Sequence, residues 1–581
     1  MLTTLTVRNF KRFRDVLIDL GNPVVFIGPN DSGKTTALQA LALWDLGVKK
    51  WNEKRAGKRT PEERPGVTIN RRDLISVPVP DANLLWRDLH VRDVSQLNGK
   101  PSTQNVFVDI RVEAVTAGTA WCCGLEFYYA NAESFYCRPL RLSEAKNPER
   151  MPVPPEAADV RVCFLPPMSG LSDREFAMQP GQISFLLGQG RTAEVLRNLC
   201  HQVVTGPDGD AKWKRICRQT EELFGVGLTK PSYKPENSEI TMAYSTRSGR
   251  SLDLSASGRG LQQTLLLLAH LAANPGSALL LDEPDAHLEI LRQRQIYRVL
   301  TESAREHGSQ IIIASHSEVV LNEAADRDVV VAFLGRPHRI DDRGGQLLKS
   351  LKQIGYDQYY QAEQRGWVLY LEGSTDLAIL QAFAEALTHP ARKLLERPFV
   401  QYMQNQPSKV KEHFFGLQEA WPNLVGIALF DRLSKSLQPS ADLRELMWTK
   451  REIENYLCSR EVLKAWAAAG AGLPGGAPLF APSWAEAMEE SITEIEGAMA
   501  TLGKGSPWSP DTKASDDFLD PLFPVFFKKL GLPPTLMSKS DYHVLARFVP
   551  KDEIDPEISR VLDEIAAIAE RAVPVADEDA G

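Results

Sequence analysis

A two-unit α/β fold is what this sequence predicts, and three observations predict it. A glycine-rich loop, Gly28-Pro29-Asn30-Asp31-Ser32-Gly33-Lys34-Thr35, sits between an apolar run at 24–27 and a helix-like segment at 36–43. Two later apolar runs, 278–281 and 311–314, end in Asp282-Glu283 and Ser315-His316, as parallel core strands do when they deliver side chains to the C-terminal edge of a sheet. After Gly366 a strand, helix, strand rhythm starts again at 367–371, 375–386 and 424–430, which suggests a second, smaller α/β unit. A chain of 581 residues exceeds what one core organises, and the expected division is 1–364 and 365–581.

The elements follow in order. Residues 1–10 alternate like a strand and lack the basic-then-apolar order of a signal peptide. The loop at 28–35 is a complete G-x-x-x-x-G-K-[ST] pattern: glycines let backbone N–H groups face phosphates, Lys34 adds a positive charge and Thr35 can hold Mg²⁺. A nucleoside triphosphate is therefore the expected ligand, with Asn30, Gly33, Lys34, Thr35 and Thr36 as its contacts. Lys49, Lys50, Lys54, Arg55, Lys58, Arg59, Arg64, Arg71 and Arg72 form a basic stretch soon after it. A solvated loop is the plainer reading, and an insertion facing DNA or RNA the sharper one. Segments 105–113, 120–129 and 161–165 read as strands; a polar turn at 255–263 opens a buried helix at 264–273. Residues 467–482, rich in Ala, Gly and Pro, read as a surface loop, and the acidic end 577–581 as frayed.

Composition narrows the class. Hydrophobic and charged fractions of 43% and 24% are those of an ordinary soluble protein, and no apolar stretch reaches bilayer-spanning length, so a cytoplasmic chain with no membrane partner is expected. Seven cysteines without a C-x-x-C pair argue against a disulfide framework and a zinc site. A net charge of −8 does not advertise nucleic-acid binding, which depends on local positive charge.

Cleaving a phosphoanhydride needs a metal ligand, a water-activating group and a γ-phosphate sensor at one sheet edge. Asp282 suits the Mg²⁺ site, Glu283 the attacking water and His316 the γ-phosphate. In this order the loop, the turn at 255–263, the Leu281-Asp282-Glu283-Pro284 segment and Ala314-Ser315-His316-Ser317, with the opening at 5–13, resemble the ABC-type ATPase heads of RecF, SMC and OLD proteins. That resemblance implies a split head, ATP and Mg²⁺ as cofactors, and a homo-oligomer in which one subunit's signature turn completes the ATP site of the other. The turn departs from the Leu-Ser-Gly-Gly order, so either Ser255 or Ser257, with Gly258, meets the γ-phosphate. No long heptad run separates the two halves, so coiled-coil arms are not expected.

Beyond Gly366, Glu372 ends one strand-like run and Asp431 another, and a charged cluster follows at Lys450-Arg451-Glu452-Ile453-Glu454. Clustered carboxylates bind Mg²⁺, which can support phosphodiester cleavage. These stretches look like the Toprim domain of OLD-family nucleases, among them the Gabija nuclease subunit. The resemblance implies Glu372, Asp431 and Glu454 as metal ligands, Lys450 as a transition-state cation and DNA as partner. One departure stands out: Toprim domains carry Asp-x-Asp after the second strand, and Leu433 occupies the second Asp position. Either Asp376 or Glu452 substitutes, or metal affinity is weak, or the module docks a separate effector protein without cutting. The plain reading of Glu452 and Glu454 is solvated helix residues, and of Asp376 a residue at a helix N-terminus. A RecF-like repair ATPase explains this module poorly.

Overall fold

The computed structural model describes residues 1–55, 66–97, 100–143, 145, 148–246, 249–325, 327–333, 336–340, 354–434, 437, 440–471 and 481–574. The chain is mixed α/β and divides into two compact units, residues 1–357 with 576–581, and residues 358–575. The boundary falls within the helix Tyr356–Arg365.

The first unit holds two six-stranded sheets. One is antiparallel, in the order Phe13–Asp19, Leu2–Phe10, Phe107–Thr116, Thr119–Asn131, Ser134–Pro139, Val67–Asn70. The other is the nucleotide-loop sheet, with Val162–Leu165, Ala278–Asp282, Gln310–Ser315, Val24–Ile27 and Val329–Ala332 parallel and His338–Arg339 antiparallel at its edge. Its central strands are buried along their whole length, which is why they read as unbroken apolar runs rather than alternating ones. The helix Lys34–Arg55 buries Ala37, Leu38, Leu41, Trp44 and Val48, a three-and-four spacing that gives one apolar face. Trp44 donates its indole N–H to the Cys123 carbonyl at 3.0 Å.

This helix changes the reading of the basic stretch. Lys49, Lys50, Lys54 and Arg55 lie in its last turns and not in a loop; Lys58, Arg59 and Arg64 fall outside the described residues. Lys49 pairs with Asp45 at 2.7 Å, Lys50 with Asp73 at 3.3 Å and Arg71 with Glu133 at 3.1 Å. Three of the nine charges that suggested a nucleic-acid face, Lys49, Lys50 and Arg71, are thus answered within the protein.

The second unit is built on a parallel sheet in the order Val400–Tyr402, Trp367–Leu371, Val425–Phe430, Leu443–Met447. The chain leaves the first of these strands in sequence, Trp367–Leu371, for one edge and returns on its other side. That reversal is a topological switch point, and it is beyond the strands' carboxyl ends at such a point that ligands of open α/β sheets bind. The helices Ser374–Ala386, Pro407–Ala420 and Pro556–Arg571 belong to this unit, as do the later helices Arg460–Ala468, Ala481–Thr501 and Asp520–Lys529. The last two of the expected loops lie largely outside the described residues, at 472–480 and 575–581.

Candidate functional site

Three neighbouring strands of the first unit bring the predicted ATPase residues to one edge. Ala314 pairs with Asp282 on one side and Phe26 on the other, so the loop after Ile27, the acids after Leu281 and His316 after Ser315 emerge side by side. Thr35 donates its hydroxyl to the Asp282 carboxylate at 3.0–3.1 Å. His316 Nδ1 lies 3.2 Å from Glu283 Oε1. Glu283 sits in the left-handed region at φ +47, with its N–H bonded to the Ala314 carbonyl at 2.8 Å; such backbone strain in a non-glycine residue concentrates at functional sites. Burial pushes the Asp282 carboxyl up to about 6, against the stabilising Thr35 hydrogen bond. A cation at Thr35 and Asp282 relieves that cost, as expected of a Mg²⁺ position.

The loop's own geometry fits a phosphate. Gly33 has φ +103, and a Cβ there would stand 2.8 Å from the Phe13 ring, so both conformation and space require glycine. Lys34 is 5% exposed and donates to the Gly28 and Pro29 carbonyls at 2.7 and 2.6 Å. Burial lowers its pKa, while Glu283, Asp282 and Asp285 work the other way. The Ser32 hydroxyl is buried with no hydrogen-bond partner, an unmet polar group at the mouth of a helix whose first N–H groups lack intrahelical acceptors. Asn30 lies in the loop and is exposed, and Thr36 lies in the first turn of the helix that follows. Sequence reading missed Asp285, 2% exposed with one oxygen unpartnered.

The signature turn separates its two serines. Ser255 donates its hydroxyl to Asp253 Oδ1 at 2.7 Å, which sets a carboxylate beside it. Ser257 donates to the Leu254 carbonyl at 2.7 Å, next to Gly258 at the N-cap of the helix Arg259–Ala273. An anion is favoured at that helix end and disfavoured beside Asp253.

In the second unit, Glu372 follows Trp367–Leu371 and Asp431 follows Val425–Phe430, and these strands are adjacent. Asn405 joins them. Its amide nitrogen donates to Glu372 Oε2 at 2.7 Å and Asp431 Oδ2 at 3.2 Å, and its oxygen accepts from the Asp431 N–H at 2.9 Å. Sequence reading missed Asn405 because its strand, Val400–Tyr402, is only three residues long; the signal available was a polar strand end before the helix-opening Pro407. Asp376 lies in the first turn of Ser374–Ala386 and accepts from the Glu372 N–H at 3.1 Å. Burial, then Glu372, raises it to about 6.

Two expectations need correction here. Glu452 and Glu454 are not solvated: they are 2% and 3% exposed, on and beside a short 3₁₀ turn, Ile453–Tyr456. Glu452 accepts the Ser515 N–H at 2.5 Å, so one of its oxygens serves the fold. Lys450 points elsewhere than the Glu372–Asp431 pair: it bonds Asp555 at 3.3 Å and lies 4.2 Å over the Tyr456 ring. The positive charges felt by the acids are Lys539 and Lys513. At Leu433 the backbone N–H meets the Met447 sulfur at 2.9 Å.

Burial and mutual repulsion push Asp431 and Glu454 strongly upward; for Asp431 burial leads, followed by Glu372, Asp376 and Glu452. The folded state holds protons that the unfolded chain has lost. Stability from these groups is complete below the usual carboxylate range and is lost as pH rises toward the folded values. Asp431→Asn is therefore expected to raise the unfolding temperature by a few degrees at pH 8 without divalent cations, with the gain shrinking toward pH 4. Scanning calorimetry at both pH values checks this, and an equal gain at both would contradict it.

Among the described residues no group of three His, Cys, Asp or Glu side chains is set to hold a metal ion. Mg²⁺ commonly takes one or two carboxylates and completes its shell with water and substrate phosphate, so Thr35 with Asp282, and Glu372 with Asp431, are chemically suited to it. No helix among the described residues is long and apolar enough to cross a membrane.

Comparison with known proteins bears on the first unit. A family described as "AAA ATPase domain" matches residues 1–56, and one described as "AAA domain, putative AbiEii toxin, Type IV TA system" matches residues 218–322. Similar solved structures include an SMC head bound to the C-terminal winged-helix domain of ScpA (16% identity, 59% of this chain and 98% of that one, TM-score 0.34). Others are the SMC head domain from Thermotoga maritima (16%, 58% and 98%, TM-score 0.31) and a Pyrococcus furiosus SMC head with an extended coiled coil bound to the C-terminal domain of ScpA (15%, 61% and 99%, TM-score 0.33). No curated protein matches. The two family matches cover the phosphate loop and the Asp282 to His316 segments, and the first unit carries an ATPase domain.

Proposed function

We propose that this chain is an ATP-hydrolysing switch of the ABC type that pairs with a second copy through its heads and controls a Toprim-like, DNA-cleaving second unit. The observation that carries the ATPase half is the convergence of Thr35, Asp282, Glu283 and His316 on one sheet edge. Lys34 and the loop N–H groups bind and orient the triphosphate, Glu283 takes a proton from the attacking water, and His316 holds Glu283 and reads the γ-phosphate. Thr35 and Asp282 would hold Mg²⁺, which neutralises developing charge on the phosphates when bound. Ser257 and Gly258 of the second copy would close the site.

Support for cleavage comes from the Glu372–Asn405–Asp431 cluster at the carboxyl ends of adjacent strands of the parallel sheet. Glu372 and Asp431 would hold Mg²⁺ there, with Lys513, whose charge acts on Glu372 and Glu452, the candidate for a cation facing the phosphate. Resemblance to OLD-family nucleases fits a role against phage or other mobile DNA. A second reading, an ATPase scaffold whose silent module holds or releases an effector protein, is favoured by Leu433 and by the lack of a three-ligand group among the described residues. The test is supercoiled plasmid incubated with the purified protein, ATP, and Mg²⁺ or Mn²⁺. Metal-dependent nicking supports the first reading; its absence, with a stoichiometric protein co-purifying from the host, supports the second.

A further inference from the structure

The signature turn is held from within by an arginine that no motif marks. Arg197, 1% exposed, opens out from the helix Leu196–Thr205. Its Nη2 donates to Asp253 Oδ1 at 2.9 Å, and that same oxygen accepts the Ser255 N–H at 2.8 Å and the Ser255 hydroxyl at 2.7 Å. On its other side, Arg197 Nη1 donates to the Ser172 carbonyl at 2.9 Å and reaches Glu175 Oε1 at 3.4 Å. Glu175, 1% exposed, is fixed by the backbone N–H groups of Arg197 and Asn198 at 2.9 and 3.0 Å. From below, Gln262 donates to the Ser257 carbonyl at 3.0 Å. Burial opposes the charge on Asp253, yet the Ser255 groups and Arg197 together hold its carboxyl below the usual range.

A turn that must meet a nucleotide on another molecule gains from being built before the encounter, because ordering it at that moment would weaken association. A buried guanidinium with a fixed fork suits this better than a flexible ammonium. We propose that Arg197 and Asp253 are positioning residues that pre-set the signature turn, so that Ser257 and Gly258 are presented to the ATP of a second copy. The inference rests on the head-pairing reading above. It also bears on the shape of the turn: the Asp253 carboxylate beside Ser255 disfavours an anion there, which leaves the helix end at Ser257 and Gly258 as the docking point.

The test uses full-length protein carrying Glu283→Gln, in which ATP-induced pairing is followed by light scattering, while ATP binding to single copies is read with a fluorescent analogue at low protein concentration. Asp253 is half exposed, so Asp253→Ala spares the core where loss of Arg197 endangers it. Asp253→Ala is expected to raise the ATP concentration needed for pairing about tenfold, the loss of a charge-assisted hydrogen bond. Single-copy ATP affinity should stay unchanged while the unfolding temperature falls by a few degrees, because Arg197 loses one partner, and Asp253→Asn, which keeps an acceptor oxygen, should restore most of the pairing. Equal pairing by Asp253→Ala and its parent would overturn the inference, as would a parallel fall in single-copy affinity. If the Glu283→Gln parent itself fails to pair with ATP, it is the head-pairing reading that falls.

Discussion

Replacing Glu283 by Gln is expected to lower ATP turnover about a hundredfold or more while ATP still binds. Gln keeps the size of the side chain and can still meet His316, whose Nδ1 lies 3.2 Å from Oε1, but it cannot take a proton from water. The backbone at Glu283 is held by the Ala314 carbonyl at 2.8 Å and by the buried Leu279, Leu280 and Leu281 before it, so the substitution should leave the fold intact. Lys34→Ala should fail in a different way, at binding, because it removes the one side-chain cation set inside the loop, seated against the Gly28 and Pro29 carbonyls. Phosphate release and binding of a fluorescent ATP analogue separate the two. Wild-type turnover by Glu283→Gln would show that another group activates the water.

Much of this edge was legible in the sequence because buried parallel strands announce themselves. The runs 278–281 and 311–314 are fully apolar, and each ends where the strand meets its polar edge. What the sequence could not convey is what tertiary contacts decide. Glu452 and Glu454 carry the composition of a solvated turn, yet the packing around Tyr456 and Ser515 buries them. Lys450 stands two residues from Glu452 in sequence, but Asp555 and the Tyr456 ring take its charge. The helix after the phosphate loop runs on to Arg55 because Trp44 and Val48 continue its buried face, and that extension put the first part of an expected basic loop into a helix, where Lys49 and Lys50 form ion pairs. Asn405 and Arg197 act through long-range hydrogen bonds, which leave no local pattern in a single sequence.

The second large effect lies at Glu372 and Asp431. Each to Ala is expected to lower metal-dependent plasmid nicking by about a hundredfold or more, since removing one of two carboxylates from a Mg²⁺ position leaves too little charge to hold the ion and the scissile phosphate together. ATP turnover need not follow, because Thr35, Asp282, Glu283 and His316 belong to the other unit. That split separates a catalytic role from general damage: both variants should retain ATP binding. Lys513→Ala should also reduce nicking, as the Lys513 charge acts on Glu372 and Glu452, whereas Lys450→Ala, tied to Asp555, should matter less. If Glu372→Ala and Asp431→Ala nick as well as wild type, the activity comes from elsewhere and the cleaving unit is misassigned. If only Asp431→Ala retains activity, Glu372 acts with a buried neighbour such as Asp376, whose carboxyl already bonds the Glu372 N–H at 3.1 Å. Asp376 would then be the acid that compensates for Leu433.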